Sequence, residues 1–264
     1  MVFANEDFRE NQREIINATK SKRDVIALIP TGGGKSLTFQ VSAVTDSGVT
    51  IVIMPLLSLI EDQVAQMQEF GVPCFYFSKE KNARSFYSEL LQGTNHFKLI
   101  YLTPEKLVKN AGFLDVLQTL YDKKKLERFV IDEVHCVSSW GQDFRKDYLE
   151  LRLLKERFPS VPVLGLTATA TKKVKEDIVK NLRLRDVLYF QSSFNRPNLF
   201  YEIRVKKEVG GNKCDDLVQV IRRKFDRQSG IIYCLARKEC EKLANDLEKN
   251  YGIKCSYYHA DMNQ

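Results

Sequence analysis

A run of glycines leading into a lysine and a hydroxyl is the clearest chemical feature of this chain. It reads Thr31-Gly32-Gly33-Gly34-Lys35-Ser36 and follows directly on the apolar stretch Ile26-Ala27-Leu28-Ile29-Pro30. Three glycines let the backbone curl tightly and turn successive N–H groups inward, which makes a nest for phosphate oxygens. A helix beginning near Lys35 adds the positive end of its dipole to that nest. Lys35 can then reach β- and γ-phosphates, and the Ser36 hydroxyl can ligate Mg²⁺. The general pattern asks for a glycine where this chain has Ile29. The strand–turn–helix setting compensates, because the anion site needs that geometry more than the first glycine. A plain glycine-rich turn is the alternative.

A second feature lies downstream, in Phe129-Val130-Ile131-Asp132-Glu133-Val134-His135. Two acids end an apolar strand, the edge at which parallel sheets hold their ligands. Neighbouring strand positions point to opposite sides, so the two carboxylates can divide the work. Asp132 can hold Mg²⁺, and Glu133 can polarise an attacking water. A helix cap is the alternative for an acidic pair taken alone. His135 is read as coupling this region to its surroundings, with simple packing as the alternative.

These groups need a scaffold, and the pattern supplies one. Short apolar, β-branched runs alternate with longer helical stretches, the rhythm of a parallel sheet wrapped by helices. Strands are predicted at 24–29, 50–54, 74–77, 98–102, 128–131 and 163–166, all apolar enough for a sheet covered on both faces. Helices are predicted at 36–45, 56–70, 113–123, 147–158 and 172–182. The polar, proline-bearing stretch Ser192-Ser193-Phe194-Asn195-Arg196-Pro197-Asn198 has no periodicity and marks a junction. The expected division is a first domain over 1–193 and the truncated start of a second over 194–264. The second is predicted to carry strands at 199–205, 230–235 and 254–258 with helices at 214–225 and 238–250.

Composition narrows the class. With 44% hydrophobic and 28% charged residues, the chain has ordinary globular make-up. No apolar run is long enough to cross a bilayer, and the N-terminus lacks a basic region followed by an apolar one. The expectation is no membrane partner. Six cysteines, none in a CxxC pair, suit neither a zinc site nor a disulfide framework and predict reduced, mostly buried thiols. A net charge of +7 hints at a polyanionic partner. The densest basic runs, Lys123-Lys124-Lys125 and Lys172-Lys173, read individually as solvated helix faces.

Beyond the two nucleotide elements, the chain resembles superfamily-two helicases, and among them the RecQ family, closest to the Bloom-syndrome type. The resemblance rests on Phe8-Arg9-Glu10-Asn11-Gln12, Pro55 to Gln63, Tyr101 to Lys106, Asp132 to Tyr148, Leu166 to Ala170, Phe194 to Leu199, Ser229 to Cys234 and Tyr258-His259-Ala260. It implies a RecA-like α/β domain followed by part of a second. The implied activity is ATP-dependent, 3′-to-5′ DNA helicase action, in DNA repair, recombination and replication. ATP and Mg²⁺ are the implied cofactors, with zinc expected only in a missing C-terminal region. Single-stranded and structured DNA are the implied partners, and the implied location is the nucleus in a eukaryote and the cytoplasm otherwise.

Residue by residue, the resemblance makes Gln12 the reader of the adenine edge, whose amide both donates and accepts, and Arg9 its helper. With Thr31 to Ser36 they would bind nucleotide, while Lys35, Asp132, Glu133 and His135 would serve catalysis. Thr167 and Thr169 would couple phosphate state to movement, with capping of the next helix as the alternative. Pro55, Ser58, Thr103 and Pro104 would contact the DNA backbone without reading sequence. The loop from His135 to Arg145 resembles the aromatic-rich loop of the family. There Trp140, the single tryptophan, with Phe144 and Arg145 would stack on bases; a lid on the core is the alternative for Trp140. Gln142 replaces the usual histidine, and Val134 a common alanine. The later family segments, including an arginine finger, are expected beyond Gln264. The chain is therefore expected to bind ATP but to lack full activity.

Overall fold

The computed structural model describes residue 3, residues 7–77, 83–92, 97–141, 143–195, 197–204 and 214–262, with the side chains of 83 and 84 excepted. The chain divides into two compact units, Met1–Arg196 and Pro197–Gln264.

Among its described residues, the first unit is a seven-stranded sheet in which every pairing is parallel. Its strands are β1 (Val25–Leu28), β2 (Val49–Ile53), β3 (Cys74–Tyr76), β4 (Leu99–Leu102), β5 (Leu126–Ile131), β6 (Val163–Thr167) and β7 (Leu188–Gln191). They lie in the order β3-β4-β2-β5-β6-β1-β7. Alternate residues of each strand enter opposite cores, as a period of two requires. Ile26, Leu28, Ile51, Ile53, Phe129 and Ile131 face one side. Val25, Ala27, Val52, Val130, Leu164 and Leu166 face the other. Helices α1 (Gln12–Lys20), α2 (Lys35–Thr45) and α3 (Leu57–Glu69) supply Ile15, Ala18, Phe39, Ala43, Ile60 and Met67 to the second core. Helices α4 (Ala83–Gln92), α5 (Pro104–Val108), α6 (Ala111–Asp122), α7 (Lys146–Leu149), α8 (Leu153–Arg157) and α9 (Lys172–Leu182) close the first.

The expected helix over 147–158 is broken. A 3-10 turn, Glu150–Arg152, separates α7 from α8. Tyr148, Leu151 and Leu154 are nonetheless all buried, because a spacing of three keeps side chains on one face of a 3-10 stretch. Strand β7 was not expected from the sequence. It lies at the sheet edge, and its residues alternate between half-buried and exposed, so it lacks the continuous apolar run of the central strands.

The second unit contains α10 (Asp215–Lys224) and α11 (Arg237–Tyr251). The strands expected at 199–205, 230–235 and 254–258 are not formed among its described residues. Ile231, Tyr233 and Leu235 are largely exposed; a strand gains its stability from a paired neighbour and a covered face, and here those residues have neither. All six cysteines are free, but only Cys74, Cys136 and Cys214 are buried, so the expectation of mostly buried thiols holds for half of them. No helix among the described residues is long and apolar enough to cross a membrane.

Candidate functional site

The sheet order decides what meets at its carboxyl edge. β6 lies between β1 and β5, so Thr167 at its end stands between the glycine turn after β1 and the acids after β5. Register locks this in place: Ile29 donates its N–H to the Thr167 carbonyl at 3.0 Å, and Asp132 donates to the Ile53 carbonyl at 2.9 Å.

The glycine turn has little room for side chains. A Cβ on Gly33 would lie 2.5 Å from Ile29 Cγ2, and one on Gly34 would lie 2.4 Å from Gln12 Nε2. Gly34 also adopts φ +83°, which L side chains rarely tolerate. Gly34→Ala is therefore expected to displace Gln12 and weaken nucleotide binding at least tenfold, on the scale of about 1–3 kcal/mol for strained backbone; titration with a fluorescent ATP analogue reads this. Lys35 donates from Nζ to the Ile29 carbonyl at 3.3 Å, so the ammonium is folded back over the turn.

Gln12 is almost fully buried, and its amide grips the turn. Nε2 donates to the Gly34 carbonyl at 3.0 Å, while Oε1 accepts from the Arg9 backbone N–H at 2.8 Å. Arg9 Nη1 donates to the Gly32 carbonyl at 2.5 Å. Both residues thus hold the phosphate turn itself, and each amide atom of Gln12 keeps capacity for one further hydrogen bond.

The acid pair has two distinct environments. Asp132 Oδ1 is buried without a hydrogen-bond partner. Burial, then the nearby Glu133 carboxylate, pushes Asp132 up to about 6, despite the opposing charges of Lys35 and His135. The hydrogen bond from His135 holds the Glu133 carboxyl below its usual range. Glu133 adopts φ +49°, a left-handed conformation that costs a non-glycine residue about 1–2 kcal/mol. His135 Nδ1 lies 3.1 Å from Glu133 Oε2 and 2.9 Å from Thr167 Oγ1. Thr167 Oγ1 donates to the Thr169 carbonyl and accepts from the Thr169 N–H, so the Nδ1 proton is the one shared between Glu133 and Thr167. The Cys136 sulfur, then Glu133, pushes the imidazole up to about 10. His135 therefore links the Glu133 carboxylate to the Thr167–Thr169 segment. Tyr148, missed by sequence reasoning, donates its hydroxyl to the Asp132 carbonyl at 2.9 Å.

The expected strand-contacting residues are not equivalent. Ser58 is exposed beside Leu57 and Leu59, whereas Thr103 and Pro104 are buried. Thr103 Oγ1 accepts from the Lys106 N–H as the cap of α5, and Thr103 lines a hollow at this edge with Pro55 and Leu57. Trp140 is 65% exposed, which excludes a core lid. Phe144 is also exposed. Arg145 donates twice to Asp143, at 2.9 and 2.7 Å, and once to the Pro55 carbonyl at 3.2 Å. It ties the aromatic loop to the segment after β2. Gln142 lies outside the described residues.

The donor set fits a nucleoside triphosphate with a divalent metal ion. A collared glycine turn, an ammonium and a hydroxyl lie at the same sheet edge as a buried carboxylate oxygen with no other partner. Asp132 and Ser36 would hold the metal, and Lys35 the phosphates. When bound, such a metal supplies neutralisation of the phosphate charge.

Comparison with known proteins agrees with this geometry. The chain is 44% identical over 265 residues to ATP-dependent DNA helicase Q-like 2 of Arabidopsis thaliana, covering 99% of this chain and 37% of the relative. Against ATP-dependent DNA helicase hus2/rqh1 of Schizosaccharomyces pombe the identity is 47%, over 97% of this chain and 19% of the relative. Against ATP-dependent DNA helicase Q1 of Rattus norvegicus it is 40%, over 99% and 42%. The chain thus spans less than half the length of each. Among solved structures, the DUF1998 helicase MrfA covers 94% of this chain at a TM-score of 0.61 and 14% identity, with 40% of that protein matched. The Hef helicase domain of Pyrococcus furiosus covers 72% of this chain at 0.51 and 21% identity, with 39% of that protein matched. Both show the fold alone. The family description "DEAD/DEAH box helicase" matches residues 9–177, well over half of the chain and every element of the site just described. The chain therefore belongs to the DEAD/DEAH box helicase family, and the relatives it matches are RecQ-type members.

Proposed function

We propose that this chain is the nucleotide-binding part of an ATP-dependent DNA helicase of the RecQ type. Such a protein couples ATP hydrolysis to 3′-to-5′ movement on single-stranded DNA and unwinds duplex and structured DNA during repair, recombination and replication in the nucleus. Residues 1–193 form the first RecA-like domain, and 194–264 begin the second. The polarity, the cellular role and the location rest on the family likeness; the chemistry rests on the site.

One observation carries the reading. The unpartnered Asp132 oxygen and the His135 bridge from Glu133 to Thr167 share one sheet edge with the glycine turn. Lys35 acts electrostatically on both acids, so the three groups form one unit. Gly32 to Lys35 cradle the phosphates, with Thr31 and Ser36 flanking them. Arg9 and Gln12 brace the turn and serve the base. Glu133 orients and polarises water from a strained backbone that fixes its direction. His135 and Thr167, with Thr169, carry the change at the phosphates towards the rest of the machine. Pro55, Ser58 and the Trp140–Arg145 loop face the strand, with Gln142 tuning the coupling.

The test uses the chain itself. Wild type should bind an Mg²⁺-complexed fluorescent ATP analogue and single-stranded DNA, the latter in preference to RNA. Lys35→Ala should weaken nucleotide binding about 10- to 100-fold, the worth of charged hydrogen bonds of about 1.5–3 kcal/mol, and leave DNA affinity intact. Equal nucleotide binding by Lys35→Ala would remove the assignment. Equal affinity for RNA would move the chain to an RNA-directed motor.

A further inference from the structure

Helix α9 grips the aromatic loop with one polar stripe. Lys173, Asp177 and Asn181 recur every four residues and so share one face. Each holds a successive part of the loop. Asn181 Nδ2 donates to the Val137 carbonyl at 3.2 Å. Asp177 Oδ2 accepts from the buried Ser138 hydroxyl at 2.6 Å, and that same oxygen of Ser138 accepts the Trp140 N–H at 3.2 Å. Lys173 Nζ lies 3.1 Å from the centroid of the Trp140 ring, a close cation–π contact. At its root the loop is packed tightly, since a Cβ on Gly141 would lie 2.6 Å from the His135 carbonyl oxygen.

The first two interactions set the loop's backbone. The third is different, because it occupies a surface with another use. A nucleobase stacks on the face of an aromatic ring, and an ammonium seated over that face excludes it. Trp140 is otherwise mostly exposed, so among the described residues little but Lys173 restrains the ring. We propose that Lys173 is a positioning residue for strand binding: it holds Trp140 in a capped state, and a base of single-stranded DNA takes its place. This rests on the reading of Trp140 as a base-stacking residue. Because α9 begins just after Thr169 and is capped by Thr171, uncapping the ring also loosens the loop from the helix that follows the Thr167 segment.

The sign of one substitution separates this from the ordinary role of a lysine near DNA. If the Lys173 ammonium simply bound a phosphate, Lys173→Gln would weaken binding and flatten its salt dependence. Removing a cap should instead tighten binding, by about two- to fivefold at an exposed cation–π site. The experiment measures anisotropy of a labelled oligo-dT with wild type, Lys173→Gln, Lys173→Arg, Trp140→Ala and the double variant Lys173→Gln/Trp140→Ala. Emission of Trp140, the sole tryptophan, is followed in parallel. The expected results are tighter binding by Lys173→Gln, wild-type behaviour in Lys173→Arg, and no effect of Lys173→Gln once Trp140 is alanine. Trp140 emission should also change in Lys173→Gln before DNA is added. Unchanged or weaker binding by Lys173→Gln overturns the cap while leaving base stacking intact. Wild-type DNA affinity in Trp140→Ala instead overturns the stacking role and the cap with it.

Discussion

Asp132→Asn should abolish Mg²⁺-dependent turnover while making the metal-free protein more stable. Turnover in the helicase is expected to fall about 10³-fold, because metal charge stabilisation supplies several kcal/mol. The Mg²⁺ enhancement of nucleotide binding should vanish with it. The stability gain has a separate origin. Asp132 Oδ1 is buried without a partner, and burial and Glu133 hold its carboxyl up at about 6 against an ordinary 3.8. A carboxyl raised by folding stabilises the protein when protonated and loses that contribution as pH rises through about 6. At pH 7.5 the metal-free wild type therefore carries the penalty of a buried anion, about 1–3 kcal/mol. A neutral amide escapes it. Denaturant unfolding in chelator at pH 7.5 and pH 5 checks this: the variant should gain most at the higher pH and about half as much at pH 5, midway between the ordinary 3.8 and the raised value of about 6. Equal stability at both would mean that the carboxylate is solvated or paired after all.

At the opposite edge of the sheet, Asp46→Ala should cost about 3–5 kcal/mol, because it strands a buried guanidinium. Arg128 is fully buried on β5 and pairs with Asp46 through Nη2. Its Nη1 donates to Thr50 Oγ1 at 3.2 Å, while Nε has no partner. Asp46 also binds Lys20 at 2.9 Å, and its carbonyl accepts from Lys98 Nζ at 2.5 Å. The cluster joins the ends of α1 and α2 to β2, β4 and β5. Burial pushes the Asp46 carboxyl up, but Arg128 and Lys20 outweigh it and the net shift is downward. This contribution is thus present above about pH 4 and is lost as pH falls through the lowered value. Urea unfolding at pH 7 should show the loss, and Arg128→Met added to Asp46→Ala should recover most of it. If the double variant is as unstable as the single, the cost lies in the α2 terminus and not in the stranded charge.

The central strands were legible because they are buried on both faces and read as unbroken apolar runs. Edge strand β7 and helix α1 were not. β7 is four residues long and only half-buried on its inner face, and α1 is nine mostly polar residues with only Ile15, Ile16 and Ala18 as buried apolar groups, so neither carries the long apolar signal of the central elements. The expected strands of the second unit show the converse. Local preference at Gly230 to Leu235 favours extension, yet a strand exists only through a neighbour's hydrogen bonds.

The kinds of chemistry available were determined by residue type and local spacing. A glycine turn before Lys35 and Ser36, and two acids ending an apolar run, carry their geometry within a few residues of chain. Which of those groups touch was decided by the order of strands in the sheet. Placing β6 between β1 and β5 sets Thr167 against His135, and the same packing brings Gln12 onto Gly34 and Lys173 over Trp140. Such pairings join residues far apart in the chain, and their free energy depends on burial and partners that no local window contains.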